Sequence, residues 1–298
     1  MKHWKPAAIA ALWSGALYAA PMPVVASFSI LGDVAQQIGG ERVAVQSLVG
    51  ANQDAHAYNL TSSDIKKIRE ARLVLLNGLG LEKAELQRAV KQSKVASAEA
   101  TAGIKPLAAD EHHHEHGHDH DHDHGEFDPH VWNDPVLMQR YAANVAIALI
   151  KADPAGSRYY QQRFKDYQNV LNQLNNYANQ QFGAVAPAKR KVLTGHDSFA
   201  YLGKRYQVKF ISPQGVSSEA EPSARQIAAI IRQIKAENVK AVFTENIKDG
   251  RMIARIAKET GVKVSGGLYA DALSSGAPAG TYADMFRYNV RVMSEAMK

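Results

Sequence analysis

A change of periodicity that occurs twice constrains this chain most. Short β-branched runs alternate with helical patterns, give way to one long helical stretch, and then resume. Runs rich in Val, Ile and Leu predict strands over residues 24–29, 43–49 and 73–77, with crossover helices over 32–38 and 62–70. The second block repeats the scheme, with strands over 191–194, 208–211, 239–245 and 262–269. Helices over 198–206, 223–237 and 250–260 lie between them. Between the blocks, Asp134 and Pro135 read as a cap followed by a proline at the first helical position. They launch a helix that ends near Asp153 and Pro154. From residue 155 to about 182, Tyr160, Phe164, Tyr167, Leu171, Leu174 and Ala178 step by four and three, the spacing of one helical face. At about 1.5 Å per residue this helix spans roughly 40 Å.

The fold class is therefore α/β: two similar lobes with parallel sheets, joined by one long rigid helix, with a cleft between them. A chain of 298 residues can bury a core in each lobe. The predicted divisions are a leader at 1–20, a first lobe at 21–154, the linking helix at 155–183 and a second lobe at 184–298. A single stiff connector lacks the loose crossovers of a wide hinge, so a modest closing motion is expected.

Lys2 and Lys5 precede an apolar run from Ala7 to Ala20. That is the pattern of a secretory signal, with a plausible cut after Leu17-Tyr18-Ala19. The run falls short of the ~20 apolar residues that cross a bilayer. No cysteine occurs, so neither disulfides, thiolate ligands nor a lipid on an N-terminal cysteine are available. These features predict a monomer in the periplasm, with no stable membrane insertion after cleavage. The net charge of +6 is spread along the chain rather than grouped, which argues against nucleic acid as a partner.

Outside the leader and one histidine-rich insert, three histidines remain: His56, His130 and His196. Each sits in a polar segment next to a predicted strand or helix, where ligand groups gather at the carboxyl edge of an α/β sheet. Singly, each reads as a hydrogen-bonded surface histidine. Together, in Asp54-Ala55-His56-Ala57-Tyr58, Asp128-Pro129-His130-Val131-Trp132 and Thr194-Gly195-His196-Asp197, they read as metal ligands. A ligating imidazole needs its other nitrogen engaged by a carboxylate or carbonyl, and Asp128 and Asp197 are the nearest candidates. Asp271, after Leu268-Tyr269-Ala270, stands where either a fourth ligand or an ordinary helix cap would.

The insert, residues 111–125, holds His112, His113, His114, His116, His118, His120, His122 and His124 among acids and glycines. Such a composition cannot bury a core and predicts a mobile surface loop. Alternating imidazole and carboxylate offers many weak, interchangeable metal sites. The insert reads as a collecting loop, with a solvated spacer as the plain alternative.

Several stretches resemble, in order along nearly the whole mature chain, the metal-binding proteins of bacterial zinc and manganese ABC importers. They are Ala26-Ser27-Phe28-Ser29-Ile30-Leu31 with Asp33; Asp54 to Tyr58 with Thr61 and Asp64; Asn77-Gly78-Leu79-Gly80-Leu81-Glu82; and Asp128 to Trp132 with Asp134-Pro135. Gly195-His196-Asp197-Ser198-Phe199, Gly215 to Pro222 and Tyr269 to Leu273 complete the set. The periplasmic zinc-binding subfamily is the nearest match. The resemblance implies two α/β lobes around a rigid linking helix and one metal in the cleft. His56 and His130 would be the ligands from the first lobe, His196 and Asp271 those from the second. It also implies an inner-membrane ABC permease as partner. Ala55 departs from a usual proline, Asn59 from an acid, Asn133 from an apolar residue and Ala84 from an aromatic; none of these removes a ligand.

Three imidazoles and a carboxylate suit four-coordinate zinc. Manganese prefers more oxygen, and the family's manganese binders resemble this chain except for a glutamate in place of His196. Two other functions compete. A secreted zinc hydrolase would need an open coordination position and a base, for which Glu219, Glu221 and Glu245 are the candidates; His-Glu-x-x-His is absent. A periplasmic zinc buffer or metallochaperone would rely on the insert instead of the cleft.

Overall fold

In a computed structural model that describes residues 20–109 and 127–298, eight short strands form two four-stranded sheets. The insert and all but the last residue of the expected leader lie outside the described residues. In the first sheet β1 (Met22–Phe28) is flanked by β2 (Val43–Val49) and β3 (Leu73–Leu76), and β4 (Ala96–Glu99) forms the far edge; every pairing is parallel. The second sheet repeats the order with β6 (Lys209–Ile211), β5 (Lys191–Leu193), β7 (Ala241–Glu245) and β8 (Gly266–Leu268), again all parallel. In both, the first strand of the lobe lies inside the sheet and successive crossovers leave it in opposite directions. That arrangement opens a crevice at the carboxyl ends of the strands, the usual place for a ligand in an open α/β sheet.

Local sequence explains the helices that frame this crevice. Helix α1 (Ser29–Gly39) follows β1 directly and buries Ile30, Leu31, Val34, Ala35 and Ile38 on one face. Helix α2 (Ser62–Glu70) begins with a capping box: Asp64 N–H donates to the Thr61 hydroxyl, and Thr61 N–H donates to Asp64 Oδ2. Helix α3 (Ala84–Ser93) completes the outer layer of the first lobe. Asp134 Oδ1 accepts from Val136 N–H, so residues 135–136 form a turn and α4 (Leu137–Ala152) starts two residues later than expected.

Helix α5 (Ser157–Gly183) runs for 27 residues, about 40 Å. It buries Tyr160, Tyr167, Leu171, Leu174 and Ala178 of the stripe read from the sequence, leaves Phe164 of that stripe partly buried, and adds Phe182 at its end. It packs against α1, α4 and α9 (Tyr282–Met297), so it is one wall of the interior rather than a free strut. Truncating Leu174 to alanine there would cost about 2–5 kcal/mol. Helices α6 (Ala200–Tyr206), α7 (Ala224–Glu237) and α8 (Arg251–Thr260) complete the second lobe.

Among the described residues, separate cores lie on the outer faces of the lobes. Ile68, Val74 and Leu86 belong to one outer cluster, and Ile234, Val242 and Ile253 to the other. The inner faces share a single continuous core that runs from Phe28 and Trp132 through Leu171 and Phe182 to Phe243 and Phe286. Polar ties cross the boundary too, since Tyr282 N–H at the start of α9 donates to Asp33 Oδ2 on α1. Close-packed interiors resist continuous deformation, which favours the small closing motion expected from the linking helix.

Candidate metal centre

The second lobe contributes two of the candidate side chains from adjacent strand ends. His196 follows β5, and the neighbouring strand β7 ends in Glu245. Because β5 and β7 run parallel, the Glu245 carboxylate reaches over the His196 loop. It accepts from Gly195 N–H at 2.8 Å and His196 N–H at 3.1 Å, and its Oε2 lies 2.6 Å from His196 Nδ1. A carboxylate at Nδ1 fixes the ring so that Nε2 carries the lone pair offered to a cation. Glu245 thus stands at the nitrogen where Asp197 was expected from the sequence; the Asp197 backbone N–H donates to Gly215 O. Asp271 follows β8 and is completely buried.

In the first lobe, His56 sits in the loop after β2, where Asp54 Oδ1 accepts from His56 N–H at 2.9 Å and Ala57 N–H at 3.3 Å. His130 lies just before α4. Asp128 Oδ1 accepts from its backbone N–H at 2.9 Å and lies 2.7 Å from its Nδ1, as expected. This loop is pinned on three sides. Asn77 Nδ2 donates to Pro129 O, Tyr201 O–H donates to Asp128 O, and Trp132 Nε1–H donates to Ala270 O at 2.8 Å. The last bond ties the His130 loop to the Asp271 loop across the cleft.

The four side chains thus meet from loops in both lobes. One ligand atom from each lies within 4.8 Å of all the others, and every one of the four residues is buried. His56 Nε2 stands 3.2 Å from His130 Nε2 and 3.5 Å from Asp271 Oδ2. Asp271 Oδ1 is 3.5 Å from His130 Nε2, and Oδ2 is 3.1 Å from His196 Nε2. A tetrahedral zinc with bonds of about 2.0–2.2 Å separates its ligands by about 3.3–3.6 Å, and these four separations of 3.1–3.5 Å lie close to that spacing. His196 Nε2 and both Asp271 oxygens are buried without a hydrogen-bond partner. Beyond the approach of His196 Nε2 to Asp271 Oδ2, these atoms face a common centre, and buried polar atoms rarely go so poorly paired without a reason.

Electrostatics point the same way. Burial alone would raise the Asp271 pKa, but His196 and His130 beside it hold the carboxyl below its usual range. Burial lowers His56 to about 4 despite the pull of Asp271. Burial also opposes charge on His196, yet Glu245 and Asp271 outweigh it and hold that imidazole well above its ordinary value. The ionised Asp271 supplies the negative charge that a bound cation needs, and the cation takes the place of the proton on His196.

The acids considered as general bases are otherwise engaged. Glu245 is committed to the His196 ring and loop, Glu219 pairs with Lys83 at 2.7 Å, and Glu221 lies exposed 4.0 Å from Lys248. Sequence reasoning did not connect Glu245 with His196. The available signal was an acid ending the strand that neighbours the histidine's strand.

Comparison with known proteins accords with this geometry. Residues 24–296 match the family described as zinc-uptake complex component A, periplasmic (ZnuA). The chain is 32% identical over 287 residues to the manganese-binding lipoprotein MntA of Bacillus subtilis (strain 168), covering 93% of this chain and 90% of that one. It is 27% identical over 277 residues to the iron ABC transporter substrate-binding lipoprotein MtsA of Streptococcus pyogenes serotype M1, covering 93% and 89%. Among solved structures, the periplasmic zinc-binding protein TroA from Treponema pallidum superposes with a TM-score of 0.85 at 26% identity, covering 93% of this chain and 99% of that one. By match length and fold the chain belongs to the ZnuA family, metal-binding substrate-binding proteins of ABC transporters, and is not an enzyme.

Proposed function

We propose that this protein captures zinc in the periplasm, through His56, His130, His196 and Asp271, and delivers it as a monomer to an inner-membrane ABC permease. The observation that carries the reading is the buried convergence of three imidazoles and one carboxylate from both lobes, with one ligand atom of each lying within 4.8 Å of all the others. Relatives are named for manganese, iron and zinc, so the choice of metal rests on the donor set. Three nitrogens and one carboxylate favour zinc over manganese, which takes more oxygen and higher coordination. A direct test is competition titration of metal-stripped protein with zinc and manganese. One tight zinc per chain, bound at least about 100-fold more strongly than manganese, is expected from the preference for nitrogen ligands; equal affinities would refute the zinc assignment.

The insert at residues 111–125 is assigned a supporting role. Its eight histidines and interleaved acids supply weak sites that raise the local zinc concentration around the cleft. The tight site belongs to the cleft, which distinguishes this assignment from a buffer whose principal binding element is the insert.

A further inference from the structure

Support for the four candidate ligands is uneven. His130 and His196 are each braced by a carboxylate at Nδ1, and Asp271 is sealed in the core. The loop carrying His56 is different. Behind it lies a cavity of about 270 Å³, lined by Ala55, Tyr58 and Leu60 of the loop and by Phe28, Leu81 and Leu86 of its own lobe. Side-chain packing therefore leaves this loop room to shift.

Tyr58 O–H ties the far end of the loop to Asp64 of its own lobe, and hydrogen bonds from the opposite lobe hold the end that carries Asp54 and His56. Ser218 O–H, on the loop between β6 and α7, donates to Asp54 Oδ2 at 2.5 Å, while the other oxygen of that carboxylate holds the backbone of His56. Ser218 is fully buried. Asn52 N–H donates to Leu273 O at 2.8 Å, two residues past Asp271, and Asn246 Nδ2 donates to Asn52 Oδ1 at 3.0 Å. At the rim, Lys83 Nζ meets Glu219 Oε1 at 2.7 Å. Asp54 is thus a two-sided fitting, with one oxygen on a ligand's backbone and the other on the far lobe.

We infer that Ser218 and Asp54, with Asn52 and Asn246, form a cross-cleft clasp that positions His56 and sets how long the metal stays bound. The inference rests on the zinc-binding reading of the cleft. The clasp forms only when the two lobes face each other, so placing the His56 imidazole and joining the lobes are one event. Separating the lobes breaks the Ser218 bond, releases Asp54, and lets the His56 loop relax toward the cavity. Metal loss then starts at His56 while the three better-supported ligands keep their places. A rim ion pair as exposed as Lys83–Glu219 contributes little; the bond from the fully buried Ser218 hydroxyl to the Asp54 carboxylate dominates.

The test is zinc release into excess chelator, followed by stopped flow, from full-length wild-type protein and from Ser218→Ala, Ser218→Thr and Asn52→Gly. Losing a hydrogen bond to a charged acceptor should speed release about tenfold in Ser218→Ala. Association should stay within about twofold, because affinity changes of this kind lie in the off-rate, and the unfolding temperature of the metal-stripped protein should fall by no more than about 5 °C. Ser218→Thr retains the donor and should restore slow release. Asn52→Gly keeps the left-handed backbone at this position (φ 56°), removes only the Asn246 contact, and should release zinc about threefold faster. Release at the wild-type rate in both Ser218→Ala and Asn52→Gly, or an affinity loss carried by slower association, overturns the clasp while leaving zinc binding intact. Failure of the wild type to bind zinc overturns the functional reading itself.

Discussion

Glu245→Gln isolates how the second lobe prepares its histidine. The carboxylate accepts three bonds: two from backbone N–H groups of Gly195 and His196, and one at His196 Nδ1. Glutamine is nearly isosteric, so its carbonyl oxygen can keep the two backbone bonds and the loop stays in place. Its amide nitrogen then faces Nδ1 and donates where the carboxylate accepted. That reverses the ring's tautomer and puts the proton on Nε2, the nitrogen turned toward Asp271. Outer-partner changes at metal sites typically cost 10–100-fold in affinity. A reversed tautomer belongs at the upper end, about 100-fold or about 3 kcal/mol. Chelator-competition titration at neutral pH measures it, with the unfolding temperature of the metal-stripped variant as a control for folding. Wild-type zinc affinity in a folded Glu245→Gln protein would refute the reasoning, since no preparation of the ring by Glu245 would then be needed.

The remaining predictions concern protons, the fold and the insert. His196 is held protonated well above its ordinary range, so zinc must displace about one proton there; the logarithm of the affinity should rise by about one per pH unit between about pH 6 and 8. A flat profile by titration in matched buffers would contradict histidine ligation. Burial opposes ionisation of Asp64, but bonds from Thr61, Tyr58 and Lys67 bring its pKa from 3.8 to about 2. A depressed carboxylate stabilises the fold above its unfolded value and loses that contribution as pH falls through the folded one. Asp64→Ala should therefore cost about 1–2 kcal/mol in urea unfolding at pH 7, with the gap to wild type closing between pH 4 and 2; a gap constant with pH would count against the ionised cap. Deleting residues 111–125 should reduce total bound zinc by elemental analysis yet preserve one tight site, and loss of that site would move the principal binding element to the insert.

Much of this architecture was legible because the interior uses plain signals. β1, β3 and β7 are apolar runs buried along most of their length, β2 is a Val-rich run buried at its two ends, and the α5 stripe steps by four and three without interruption. What escaped notice lacked such patterns. β4 is an edge strand of Ala, Ser and Glu, largely exposed, that owes its form to pairing with β3 rather than to its own propensity. The run expected over 262–269 contracts to Gly266–Leu268, because Val264 lies exposed outside the sheet. Asp271 is favoured over a helix cap only by the family resemblance, whereas the three candidate histidines could be read because histidine is so scarce outside the insert. Their supports could not, since Glu245 meets His196 through strand pairing 49 residues along the chain, and Ser218 meets Asp54 across 164. Contacts of that separation are set by tertiary packing, and a single sequence carries no local trace of them.

Anomalous diffraction at the zinc edge from crystals of the zinc-loaded protein tests the central claim most directly. The account predicts one strong cleft peak within about 2.0–2.2 Å of Nε2 of His56, His130 and His196 and of an Asp271 oxygen. A peak coordinated by residues of one lobe alone, or located away from these four side chains, would contradict it.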